Sequence, residues 1–195
     1  MILEIVKYGH PTLRQKGTPI EKITPEIKRL IADMLETMRE RHGVGLAAQQ
    51  VGHALQLTVI DVREVTDRPS TLELNGKTAD VDEIMPLVLI NPEIKPSGEP
   101  VAGGEGCLSF PDIYAEISRP GSVDVRALNE KLKPVVFRAG GLLSRAIQHE
   151  VDHLNGILFI DRMTKTTKEE IRDELDALQA ATKAELALQK SRGTK

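Results

Sequence analysis

The segment Gln148-His149-Glu150-Val151-Asp152-His153 decides how this chain is read. His149 and His153 stand four residues apart, so on a helix they fall on one face and their imidazoles can converge on one ion. Glu150 is rotated by about 100° from His149, at ~3.6 residues per turn. It borders the same face, and its longer side chain can reach a water beside an ion rather than the ion itself. This is the H-E-x-x-H pattern, in which the glutamate works as general base. The competing reading is a solvated helix face that carries two histidines and two acids.

The flanking sequence supports a helix. It begins near Gly141, draws apolar contacts from Leu142, Leu143, Ala146, Ile147 and Leu154, and stops favourably at Asn155-Gly156. Ahead of it, residues 123–128 and 134–138 read as a hairpin joined by Asn129-Glu130-Lys131. Leu87 to Ile90 reads as a short strand ended by Asn91-Pro92, and residues 55–62 as another strand. Residues 63–86 between them are polar and irregular, with Asn75-Gly76 as a turn.

The first clear helix covers residues 24–41, where Ile27, Leu30, Ile31, Met34, Leu35 and Met38 form one apolar stripe. Thr24 and Pro25 suit its N-cap and first turn, and Gly43 and Gly45 are expected to stop it. The last element, residues 168–189, is a charged helix with a modest stripe of Ile171, Leu175 and Leu178, and Thr167 and Glu170 have capping-box spacing. Strands before, between and after separated helices predict an α+β fold, with antiparallel or mixed sheets around a central helix that carries the metal motif. No repeat or linker breaks the chain. Residues 1–163 are expected to form the catalytic domain, and 164–195 a helical extension of that domain.

Composition sets the outer bounds. The 195 residues suit one domain, and the 40% hydrophobic fraction is enough for a real core. Aromatics are only 3% and Trp is absent, so that core must rest on Leu, Ile and Val. A net charge of -3 does not mark a general nucleic-acid binder. The opening Met1-Ile2-Leu3-Glu4-Ile5-Val6-Lys7 lacks the features of a secretory signal. No run approaches the ~20 apolar residues that cross a bilayer. The expectation is a soluble, cytoplasmic protein with no membrane association. No apolar surface stripe demands a partner, so a monomer is expected. The single cysteine, Cys107, excludes an intrachain disulfide.

A third ligand distinguishes the H-E-x-x-H enzymes. The extended metalloprotease form would need a His at position 159, where this chain has Phe159, although Gly156 is in place. Another arrangement takes a Glu from a later helix, and Glu169, Glu170 and Glu174 keep that choice open. A different donor lies in Gly104-Glu105-Gly106-Cys107-Leu108-Ser109. A Gly-rich turn lets the backbone approach another element closely. Two imidazoles, one thiolate and one water make a tetrahedral catalytic site with an open position.

Three separated segments now carry a resemblance. Gly43-Val44-Gly45-Leu46-Ala47-Ala48-Gln49-Gln50, Glu105-Gly106-Cys107-Leu108-Ser109 and Gln148-His149-Glu150-Val151-Asp152-His153 resemble the three motifs of the peptide deformylases, in the family's order and spacing. The resemblance runs from Lys7-Tyr8-Gly9-His10-Pro11 to Asp161. It implies hydrolysis of the formamide at the formyl-methionine terminus of nascent bacterial polypeptides, with release of formate. It also implies one divalent metal on Cys107, His149 and His153. Fe(II) is the ion implied physiologically, and Zn(II), Ni(II) or Co(II) would also be accepted.

The chemistry assigns further parts. Glu150 would take a proton from water and pass it to the leaving nitrogen. Gln50 and the Leu108 backbone N–H would hold the developing oxyanion. Gly43 and Gly45 would let the chain run close to an extended substrate, which the resemblance implies pairs beside them as an added strand, and Val44, Leu142 and Ala146 would line a methionine-sized pocket. Arg145 in the same turn has no reading from sequence. Asp152 would orient a ligand or pair elsewhere, and Glu105 would pair with Arg119 to hold the cysteine loop. Cys107 beside Fe(II) would be oxidation-sensitive. A C-terminal helix contacts the ribosome in related enzymes, but seven basic and six acidic residues after Met163 argue against an RNA-binding role here. Two alternatives remain at this point: a zinc endopeptidase with its third ligand elsewhere, and an inactive deformylase-like metal-binding protein.

Overall fold

Thr24 caps the first helix by accepting a 3.3 Å hydrogen bond from the Ile27 N–H, and Pro25 opens it. The structure, a computed structural model, describes residues 1–192, so residues 193–195 of the expected extension lie outside the described residues. Helix α1 (Pro25–Glu40) buries Leu30, Ile31, Met34 and Met38 as its stripe predicts. Its stop differs from expectation. His42, not a glycine, takes the left-handed conformation (φ +54°), and the Gly43 N–H then donates to the Met38 carbonyl at 2.9 Å.

Seven antiparallel strands follow among the described residues: β1 (Gly45–Ala47), β2 (Leu57–Ile60), β3 (Ser70–Leu74), β4 (Lys77–Ala79), β5 (Leu87–Cys107), β6 (Phe110–Leu128) and β7 (Pro134–Gly140). Their order in the sheet is β1-β2-β5-β6-β7-β3-β4. Period-two alternation splits the apolar run of β5 between two cores: Leu87 and Leu89 join one, Val88 and Ile90 the other. The second core is closed by α1. The first is closed by helix α2 (Gly141–Leu154), through Leu142, Leu143, Ala146, Ile147 and Val151. Every residue of α2 from Leu142 to Leu154 is buried, so the expected central helix is found.

Two expectations about the strands need correction. Asn91-Pro92 does not end β5; the strand continues to Cys107 past an irregularity between Ile90 and Glu93. Proline is tolerated at such a break because no ladder N–H is needed there. Asn91 uses its side-chain amide to pair with both Ile20 N–H and Ile20 C=O, each at 2.9 Å. Residues 63–86 are not wholly irregular, because β3 and β4 form a hairpin about Asn75-Gly76, both at positive φ, and β3 pairs with β7.

The last helix starts earlier than predicted, since Thr164 rather than Thr167 caps α3 (Lys165–Glu170), accepting from the Thr167 N–H at 3.1 Å. After a break at Ile171, α4 (Arg172–Arg192) continues. Its stripe behaves as expected: Leu175, Ile171 and Leu178 join Phe110, Ile117 and Phe159 in a third core beneath the β5–β6 tip. Among the described residues, no helix is long and apolar enough to cross a membrane.

Candidate active site

The cysteine and both histidines meet where α2 passes under the end of β5. The ligating atoms of Cys107, His149 and His153 all lie within 4.8 Å of one another. Cys107 Sγ is 3.3 Å from His153 Nε2, and the two imidazoles are 5.0 Å apart between centroids. The segment before Cys107 is not the expected turn. Gly104, Glu105 and Gly106 are paired strand residues of β5, and the turn itself is Leu108-Ser109. His149 Nδ1 lies 3.0 Å from Glu105 Oε2, which leaves Nε2 as its free donor.

These donors fit a divalent metal. A soft thiolate and two imidazoles are the ligand types such an ion takes in a mixed site. A carboxylate behind one imidazole fixes its tautomer and orientation. Burial opposes protonation of His149, yet hydrogen bonding to Cys107 and Glu105 holds its proton well above the usual histidine range. Burial, helped by the His149 charge, pushes His153 well below that range. Glu169, Glu170 and Glu174 are exposed and take no part. Phe159 packs its ring 6.0 Å from that of His149, where it contributes packing rather than ligation.

Glu150 lies deep beside this cluster. Its Oε2 is buried with no hydrogen-bond partner among the described residues. Burial lifts its carboxyl to about 7, against the opposing charges of His149 and Arg119. The backbone of β1 runs over it at Gly45, where a Cβ would come within 2.8 Å of both Cγ and Cδ of the glutamate. Gln50 is oriented by its own neighbours. Its Oε1 accepts from the Ala47 N–H at 2.8 Å, which turns Nε2 toward Cys107 Sγ and Ser109 Oγ, each 3.5 Å away.

A chain of buried charges braces the cluster. Arg119 forks onto Glu105 at 2.6 and 2.9 Å and reaches Asp152 at 2.8 Å. Asp152 is held in turn by Arg162 at 2.6 and 3.1 Å. The expected Glu105–Arg119 pair is thus present, and Asp152 pairs with two arginines rather than with an imidazole. Burial alone would raise the Glu105 carboxyl, but His149 and Arg119 hold it down at about 2. Arg145 and Arg162 were missed from sequence; the one available signal was an arginine on an otherwise apolar face of α2.

A cleft of about 500 Å³ opens onto Glu150 and the ligand cluster. Gly43, Val44, Gly45, Leu142 and Ala146 all line it, together with Leu108. The sequence profile of the polypeptide deformylases matches residues 2–169. A peptide deformylase of Methylacidiphilum infernorum is 48% identical over 178 residues, covering 91% of this chain and 93% of the relative. One from Opitutus terrae is 45% identical over 186 residues, covering 94% and 96%.

The chain belongs to the polypeptide deformylase family.

The fold agrees with that of other deformylases. A crystal structure of Arabidopsis thaliana peptide deformylase 1B superposes with a TM-score of 0.79 at 38% identity, covering 94% of this chain and 93% of that one. The profile of the deformylases ends at residue 169, so α4 lies beyond it while still docking its Leu175 into the third core.

Proposed function

We propose that this deformylase hydrolyses the formamide at the formyl-methionine terminus of newly made polypeptides, releasing formate and a free amine. The observation that carries the reading is the unpaired, buried Glu150 Oε2 beside the Cys107–His149–His153 cluster at the inner end of the cleft. A purely structural metal site has no use for such a carboxylate, since a buried acid without a partner costs stability. The endopeptidase alternative loses its support, because the tail glutamates stand in solvent.

Cys107, His149 and His153 would hold one divalent ion. That ion would supply Lewis acidity, acidifying a water and polarising the formyl carbonyl. Fe(II) is the physiological candidate, and Zn(II), Ni(II) or Co(II) suit the same donors. Glu150 accepts the water's proton and returns it to the departing nitrogen. The Gln50 amide N–H, already turned into the site, and the Leu108 backbone N–H stabilise negative charge on the formyl oxygen. Neither donor carries charge, so neither competes for the cation. Among the described residues strand β1 is an edge strand with one side unpaired, which suits an extended peptide laid along Gly43-Val44-Gly45. Val44, Leu142 and Ala146 supply apolar wall for the methionine side chain.

We also read residues 1–163 as the catalytic unit and the tail as an extension packed on it through Leu175. The enzyme would work as a cytoplasmic monomer on nascent chains, meeting the ribosome only transiently. Anaerobic assay of formate release tests the central claim. The Fe(II), Co(II) or Ni(II) forms should release formate from formyl-Met-Ala-Ser and leave its acetylated counterpart intact. Absence of release from all three forms would overturn the assignment.

A further inference from the structure

Arg145 is charged, nearly buried and turned away from bulk water, one helical turn before His149. Both terminal nitrogens of its guanidinium are engaged. Nη1 donates to Glu105 Oε1 and to the Ile117 carbonyl at 2.8 Å each, and to the Gly103 carbonyl at 3.4 Å. Nη2 donates to the Val101 carbonyl at 2.6 Å. One side chain on α2 therefore ties together both strands of the β5–β6 ribbon and the carboxylate that faces His149. Gly103 leaves the space for it: a Cβ at that position would stand 3.0 Å from Arg145 Cζ and Nη2.

The sharing at Glu105 shows what this tie controls. Its Oε1 receives Arg119 and Arg145, while Oε2 receives Arg119 and His149. Arg119 also ties the ribbon to α2, through Asp152, but only from side chain to side chain, whereas Arg145 grips the backbone of both strands. The ribbon's distance from α2 places Cys107, four residues beyond Gly103, against two histidines borne on the helix. Carbonyl acceptors suit the task, because they anchor the strand whatever side chains it carries, and a forked guanidinium can reach several at once.

We propose that Arg145 is a positioning residue for the metal cluster, setting the register of the cysteine-bearing strand against α2, with Gly103 as the gap that admits it. The proposal rests on the deformylase reading only in taking Cys107, His149 and His153 as the ligands. Partners that orient metal ligands typically change affinity or activity by roughly 10–100-fold when removed.

The test is binding of Co(II) alone, measured by competition with a chelating indicator and by the visible absorption of the cobalt–thiolate site. Arg145→Met keeps the aliphatic stem and removes every donor. It should bind Co(II) roughly 10–100-fold more weakly, with shifted bands. Gly103→Ala should move both readings in the same direction although the arginine is still present. Arg145→Lys should lie between, since an ammonium group can serve only part of the acceptor set. Wild-type affinity and wild-type bands in both Arg145→Met and Gly103→Ala would overturn the proposal and leave Arg145 as cleft wall. If Arg145→Met fails to fold, Gly103→Ala and Arg145→Lys decide it on the same readings. A wild-type protein that binds Co(II) but releases no formate would sink the functional reading and leave this test standing.

Discussion

The Glu150 side chain lies against the bare α-carbon of Gly45, so close that a Cβ there would sit 2.8 Å from both its Cγ and its Cδ. A carboxylate on α2 and a strand at the sheet's edge are thus in direct contact. The same strand is the one proposed to pair with the substrate peptide. Position of the base and position of the peptide are therefore set by one piece of backbone.

Gly45→Ala should consequently damage catalysis more than folding. The methyl group would push the carboxylate aside, and a displacement near 1 Å can cost on the order of 100-fold in rate. Metal content should be unchanged, because the atoms nearest the new group belong to Glu150 and not to a ligand. Steady-state formate release from metal-quantified protein checks this; an unchanged kcat would show that Glu150 can move without loss.

Glu150→Gln separates function from stability. The amide cannot carry a proton between water and nitrogen, so turnover should fall by roughly 10²–10⁴ while the metal stays bound. In the metal-free protein the same change should stabilise the fold at high pH. Burial raises the Glu150 carboxyl from its ordinary 4.5 to about 7. Its contribution is therefore intact below pH 4.5 and is lost as pH rises through 7, to the extent of about 3 kcal/mol. Urea unfolding of both metal-free proteins should show Glu150→Gln gaining on wild type between pH 5 and pH 8. Parallel curves across that range would mean the carboxylate is not desolvated.

The parts of this site that the sequence revealed share a physical cause. His149, Glu150 and His153 were legible because helical period alone fixes their faces. Cys107 was legible as the lone cysteine among glycines. The long ribbon β5–β6 was not, since it holds Pro92, Pro96, Pro100, Pro111 and Pro120 and pairs residues such as Val101 and Arg119 that lie far apart in sequence. Nothing local signals that register. Arg145 looked like a misfit because three of its four acceptor groups are backbone carbonyls, which carry no residue identity. Asp152 and Arg162 were hidden for a related reason: their partnership depends on the chain folding back after Asn155-Gly156.

Gln50→Leu probes the oxyanion role. Leucine is of roughly similar volume but lacks Nε2, and removal of such a donor costs on the order of 10²–10³ in kcat. It also leaves the Ala47 N–H without the Oε1 acceptor it has at 2.8 Å, so some stability is lost as well. The two effects separate by measurement. The loss of kcat should persist at temperatures where circular dichroism shows the variant fully folded. If the rate recovers there, Gln50 is a structural brace only.

Glu105 should govern the acid stability of the metal-free protein. Although burial opposes ionisation, His149 and Arg119 hold its carboxyl at about 2, below the ordinary 4.5. Such a group stabilises the fold fully above pH 4.5, and its contribution, about 3 kcal/mol, is lost as pH falls from 4.5 toward 2. Glu105→Gln should abolish this part of the pH dependence. It should also cost roughly 3–5 kcal/mol at neutral pH, because Arg119 and Arg145 would keep buried charge with one carboxylate fewer to answer it. Denaturation at closely spaced pH values gives the slope directly. Wild-type and variant curves that fall together below pH 4.5 would place the acid-sensitive carboxylate elsewhere in the chain.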